Sequence, residues 1–156
     1  GLNLGCGLDF SQNLSTATWY NIAVTKVGTA VKLWLDGSWV QTLTCTNGAI
    51  YNGSATFSIG ERLRDTIPFD GLIDDVRIWS RELSTSSISS LQSDPCNFDD
   101  GANLVGQWLF DTGGADNGPN GFALTANGGV GTSTTVAYTC AAAAAPAVII
   151  PPIWFE

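Results

Sequence analysis

The chain has no histidine and no methionine, and only six of its 156 residues are basic. Without histidine, nucleophile–histidine catalysis is excluded; a Ser–Lys arrangement stays formally open, but no spacing supports one. The bases, Lys26, Lys32, Arg62, Arg64, Arg77 and Arg81, share their part of the chain with seven acids. Residues 82 to 156 hold seven acids and no base. Phosphate recognition needs clustered Lys and Arg, so nucleic acid is excluded as a partner. A net charge of −8 is also a poor match for an anionic membrane surface. No run of about 20 apolar residues occurs, so no membrane insertion is expected. There is no initiator Met and no signal peptide, and Gly1-Leu2-Asn3-Leu4-Gly5 reads like an interior strand. The expectation is a processed or partial piece of a longer product.

What is present is glycine, threonine, serine, valine and aromatics, the composition of short strands joined by tight turns. The organising stretch runs from Phe69 to Ser84. As a strand it would place Leu72, Asp74, Val76 and Ile78 on one face, and Ile73, Asp75, Arg77 and Trp79 on the other. Similar alternation predicts strands over 2–10, 19–26, 31–35, 39–44 and 55–60. Val27 to Ala30 reads as a hairpin turn. Asp36-Gly37 is the strongest hairpin signal, since both residues tolerate positive φ. Residues 61–68 read as a polar loop. Ser84 is a suitable N-cap for a short helix to Leu91, with Leu83, Ile88 and Leu91 on one face and Pro95 ending it.

The four cysteines, Cys6, Cys45, Cys96 and Cys140, form no CxxC pair, and a zinc site without histidine would need all four to converge. Disulfides in an oxidising compartment are the preferred reading. Of three pairings, Cys6–Cys45 and Cys96–Cys140 are favoured because each brackets one sequence unit. Four free thiols in a reduced or virion protein are the alternative.

The order of four motifs resembles a known family. Trp19-Tyr20-Asn21-Ile22-Ala23-Val24-Thr25 is followed by Val31-Lys32-Leu33-Trp34-Leu35-Asp36-Gly37 and by Phe57-Ser58-Ile59-Gly60. Then comes Phe69-Asp70-Gly71-Leu72-Ile73-Asp74-Asp75-Val76-Arg77-Ile78-Trp79. Together they resemble the second half of a laminin-G-like domain over roughly residues 1 to 92. The resemblance implies an all-β antiparallel sandwich of concanavalin A-like jelly-roll type. It divides the chain into a sandwich over 1–93, a second segment over 94–140 and an Ala/Pro-rich tail over 141–156. Asn103 to Asp111 resembles the opening strand of such a domain. The second segment therefore either completes the first domain in permuted order, with 104–110 pairing against 71–79, or starts a truncated repeat.

Enzymes share the fold that the resemblance implies, and glycosidase chemistry is the reaction to weigh. It needs two facing carboxyls. The only glutamates are Glu61, Glu82 and Glu156, and the adjacent Asp74 and Asp75 would point to opposite strand faces. The chain is read as non-catalytic, with no cofactor required. Laminin-G-like domains often hold calcium, which takes six to eight oxygens. The resemblance makes Asp65, Asp70, Asp74 and Asp75 the candidate ligands. The competing reading has Asp70-Gly71 as a turn and Asp75 paired with Arg77 or Arg81. Asp111, Asp116, Asn117 and Asn120 form a second loop of turn-type residues.

Six tryptophans offer sugar-stacking surfaces. Trp19, Trp34, Trp79 and Trp108 lie in alternating strands and read as core; Trp39, just after the Asp36-Gly37 turn, is the exposed candidate, with Asp36 beside it. Asn13-Leu14-Ser15 and Asn52-Gly53-Ser54 match the glycosylation tripeptide, one that arises readily by chance in this composition. In the tail, prolines forbid a regular helix, while Ile149, Ile150, Ile153, Trp154 and Phe155 are apolar. Packing on its own domain and docking on a neighbouring subunit are the two readings. The expected function is an extracellular or surface-displayed module for adhesion or recognition of a glycan or surface protein. The alternative is a structural subunit, of a virion (phage capsid decoration or tail protein) or of an extracellular filament, assembled through the tail.

Overall fold

The computed structural model describes residues 12–46, 48–49, 57–62, 67–96, 101–111, 113–127, 131, 133, 135 and 137. These fall into two compact units. One takes the described residues up to Gly71 and those from Arg81 to Cys96. The other takes Leu72–Ser80 and the described residues from Gly101 onward.

The first unit is built on a meander of β1 (Ile22–Val27), β2 (Ala30–Leu35) and β3 (Ser38–Thr44), all antiparallel. Alternating β-branched and aromatic residues suit this pleated surface. Val24 lies opposite Leu33, and Leu33 opposite Gln41, before a bulge at Leu33/Trp34 shifts the register so that Trp34 faces Trp39. The β2–β3 turn has Asp36 at φ 47° and Gly37 at φ 74°, the pair of positive angles that a type I′ hairpin requires. Asp36 is also tied to the entry of β1. Its N–H donates to the Asn21 carbonyl at 2.8 Å, and its Oδ1 accepts the Asn21 N–H at 2.9 Å.

The helix α1 (Thr85–Ser93) starts at Ser84, whose Oγ accepts the Ser87 N–H at 3.0 Å, and ends at Asp94, whose N–H donates to the Ser90 carbonyl. Leu83, Ile88 and Leu91 are buried with Val31, Leu33, Trp34 and Cys45. Each such side chain contributes roughly 1.5–3 kcal/mol by leaving water. The helix meets the sheet at the hairpin turn: Ser89 Oγ donates to the Gly37 carbonyl at 3.2 Å. A methyl group on Gly37 would lie 3.1 Å from Gln92 Cβ, so glycine serves both the angle and the approach.

Two expectations are corrected in this unit. Residues 57–60, read as part of a strand, are not in one; the rest of that reading falls outside the described residues. The segment read as a polar loop has paired ends, β4 (Glu61–Arg62) against β5 (Ile67–Pro68), and the Phe69 N–H continues toward the Gly60 carbonyl at 2.7 Å. A short ladder satisfies backbone groups that a free loop would leave to water.

The second unit centres on β6 (Val76–Trp79) and β7 (Leu104–Trp108), an antiparallel pair in which Val76 faces Trp108 and Ile78 faces Gly106. The expected pairing of the later segment with the organising stretch is thus present. The strand itself is shorter than the alternation suggests. Asp75 has φ 46° and its N–H is taken by Asp74 Oδ1 at 3.1 Å, a local side-chain bond that competes with the pleat. Leu72 and Ile73, expected within the strand, precede it and are exposed. Trp108 is 2% exposed. Its indole folds back over Gly106, where a Cβ would come within 2.6 Å of the ring, and its Nε1 donates to the Phe122 carbonyl at 2.7 Å.

The described strands are all antiparallel and α1 is the one helix among the described residues, as expected for an all-β fold. No helix among the described residues is long and apolar enough to cross a membrane.

Candidate functional site

Trp39 is 57% exposed on β3, directly opposite the buried Trp34. Its Nε1 donates to Thr42 Oγ1 at 3.2 Å, three residues along the same strand. The ring is therefore oriented by its polar edge while much of its apolar surface meets solvent. That combination suits a flat apolar ligand face better than it suits stability. Trp34 itself, 6% exposed, has a buried Nε1 with no hydrogen-bond partner. Asp36 stands in the turn between these two tryptophans, with Oδ1 committed to the Asn21 N–H.

One neighbouring group escaped the sequence reading. Glu82 Oε1 accepts both Lys32 Nζ at 2.9 Å and Thr25 Oγ1 at 3.2 Å. Lys32 and Thr25 face each other across β1 and β2. Separations of 50 and 57 residues leave no local signal for this contact.

Two of the four carboxylates expected as calcium ligands, Asp74 and Asp75, are engaged within the protein. Asp65 lies outside the described residues, and Asp70 is exposed. Asp74 accepts the Asp75 N–H through Oδ1 and the Ala137 N–H through Oδ2 at 2.9 Å. Asp75 Oδ1 accepts from Arg77 Nε at 2.7 Å, the pairing weighed as the alternative to calcium. Burial pushes the Asp75 carboxyl above its usual range, with Arg77 pulling the other way. Among the described residues, no three of the His, Cys, Asp and Glu type are grouped as a metal would need.

The Asp116 loop is bound by its own backbone. Asp116 Oδ1 accepts the N–H groups of Gln107 at 2.8 Å and Gly118 at 2.7 Å, and Oδ2 accepts that of Phe122 at 2.7 Å. Burial opposes ionisation here, but these bonds outweigh it and hold the carboxyl below its usual range.

Of the tryptophans read as core, Trp34 and Trp108 are buried and Trp79 is half-buried, whereas Trp19 is 36% exposed. Asn13 is exposed and Asn52 lies outside the described residues. Neither Cys45 nor Cys96 is a free thiol. Cys6, Cys140 and the tail residues Ile149, Ile150, Ile153, Trp154 and Phe155 lie outside the described residues.

The described residues form antiparallel hairpins with one capped helix, the content of an all-β protein. A laminin-G-type family model described as the concanavalin A-like lectin/glucanases superfamily matches residues 7–89, and the chain belongs to that superfamily. No curated protein matches the chain. One solved structure is similar, residues 221–444 of an S-layer domain-containing protein from Clostridium thermocellum ATCC 27405. The identity is 25% over 53% of this chain and 42% of that one, with a TM-score of 0.41. The chain thus spans less than half of that relative.

Proposed function

We propose that the chain is a non-catalytic recognition module, displayed outside the cell, that binds carbohydrate through Trp39. The observation carrying this is the 57% exposed indole, held in orientation by Thr42 rather than packed into the core. Membership of the superfamily supports a lectin-like role. Fold does not dictate function, so the weight rests on the exposed ring. The non-catalytic reading is supported by the lack of histidine and by Glu82 being engaged with Lys32 and Thr25. An oxidising location is supported by the absence of a free thiol among the described cysteines, and we pair them as Cys6–Cys45 and Cys96–Cys140.

Within this reading, residues 94–140 complete the domain rather than open a second one. The β6–β7 ladder supports this, because it supplies the organising stretch with its partner strand. The test is glycan-array binding of the chain and of Trp39→Ala, with calcium and with chelator. Binding that is lost in Trp39→Ala and indifferent to chelator is the expected result. Equal binding by both proteins would overturn the assignment to Trp39.

A further inference from the structure

The loop after β7 contains two Asn-Gly pairs, Asn117-Gly118 and Asn120-Gly121, within five residues. This dipeptide is chemically labile. The glycine amide nitrogen, once deprotonated, attacks the asparagine Cγ. The N–Cγ bond forms, the Cγ–Nδ2 bond breaks, and ammonia leaves. Water then opens the resulting succinimide at either carbonyl, giving aspartate or isoaspartate. Glycine favours the attack because nothing shields its nitrogen and its backbone turns freely.

In this loop one of the two glycine N–H groups is taken by a carboxylate. Gly118 donates to Asp116 Oδ1 at 2.7 Å. The asparagine side chains are held as well. Asn120 Nδ2 donates to the Val105 carbonyl at 2.7 Å, Asn117 Oδ1 accepts the Leu109 N–H at 3.4 Å, and the Asn117 N–H donates to the Gln107 carbonyl at 2.6 Å.

We propose that Asn117 is a latent deamidation site guarded by Asp116, whose carboxylate holds the Gly118 N–H group that the reaction must deprotonate. An adjacent anion opposes loss of that proton, and the hydrogen bond must open before the nitrogen can attack. The guard also depends on Asn120. Conversion of Asn120 to aspartate replaces the Nδ2 donor with an oxygen facing the Val105 carbonyl. The loop loses that tether to β7, and the Asn117-Gly118 pair is exposed to attack. Each event adds one negative charge to a stretch that has no base.

The experiment incubates the full chain in mildly alkaline buffer, folded and in urea, and follows deamidation by mass spectrometry of chymotryptic peptides ending at Phe122. Deamidation of Asn117 in the folded wild type should be slower than in urea by on the order of tenfold, the factor implied by one charge-assisted hydrogen bond that must open. Folded Asp116→Ala should approach the urea rate with an unchanged circular dichroism spectrum. Equal rates for folded and unfolded wild type would overturn the proposal, as would a folded Asp116→Ala that reacts no faster than wild type. Should Asp116→Ala fail to fold, amide exchange in the wild type decides. Slowed exchange at Gly118 supports the guard, and exchange there at the unstructured rate overturns it.

Discussion

Asp75 Oδ1 lies 2.7 Å from Arg77 Nε, and the two side chains are only 11% and 7% exposed. A buried pair loses far more when one partner goes than it contributes against an apolar alternative. Arg77→Gln should therefore destabilise the protein by about 3 kcal/mol at neutral pH. Because burial raises the Asp75 carboxyl, the folded protein holds its proton to higher pH than the unfolded chain does. The stabilisation from that proton is complete below the unfolded pKa of about 3.9 and is lost as pH rises through the folded value. Removing Arg77 raises the folded value further, so the defect should be larger at pH 7 than at pH 4. Adding Asp75→Asn to Arg77→Gln should recover part of the loss at neutral pH, as urea midpoints would read.

Asp116 has the opposite sign. Its carboxyl is held below the unfolded value, so it contributes stability above about pH 3.9 that disappears as pH falls through the folded value. Asp116→Ala should cost about 1 kcal/mol at pH 7, kept low because the loop is part-exposed. The gap to wild type should close in strong acid. A gap constant from neutral to pH 2 would count against the role of the ionised carboxylate.

Gly37→Ala and Gly28→Ala separate backbone strain from crowding. Both glycines have positive φ, at 74° and 54°, but a Cβ at Gly28 meets nothing within 4 Å, whereas one at Gly37 meets Gln92 and Ser89. Strain alone costs about 1–2 kcal/mol at each position. Gly37→Ala should exceed Gly28→Ala, and Gln92→Gly, which removes the Cβ that the new methyl meets, should reduce that excess when compared with Gln92→Gly alone. Equal losses would show that α1 yields without cost.

Trp108 and Trp39 should respond in opposite ways to truncation. Trp108→Ala removes a ring that is 2% exposed and leaves the Phe122 carbonyl without its indole donor, and should cost about 3–5 kcal/mol. Trp39→Ala should change stability by less than about 1 kcal/mol while removing glycan binding. A large thermal destabilisation by Trp39→Ala would make that ring structural.

Non-reducing peptide mapping should recover Cys6 linked to Cys45 and Cys96 linked to Cys140. Recovery of a Cys6–Cys96 or Cys45–Cys140 peptide would refute the pairing. Cys45 is 2% exposed at the end of the meander, so its release by reductant should require unfolding of that region.

What the sequence determined by itself is local. Alternation places β1, β2 and β3, Asp36-Gly37 dictates the hairpin, and Ser84 with Pro95 frames the helix, because each rests on chemistry within a few residues. The family motifs extend that reading to the superfamily. Only the tertiary structure decided where alternation stops. Leu72 and Ile73 continue the pattern on paper, but the positive φ of Asp75 and the capture of its N–H by Asp74 end the strand. It also decided which tryptophans are buried. Trp34 and Trp39 have similar strand contexts, yet they end at 6% and 57% exposure. Trp34 sits on the central strand, flanked by β1 and β3, while Trp39 lies on β3, at the edge of the three-stranded sheet. Glu82 meets Thr25 and Lys32, and Asp116 gathers three N–H groups, because folding brings distant or unpatterned segments together. Burial and hydrogen-bond satisfaction depend on every neighbour in space, whereas propensity and turn chemistry depend on a few neighbours in the chain.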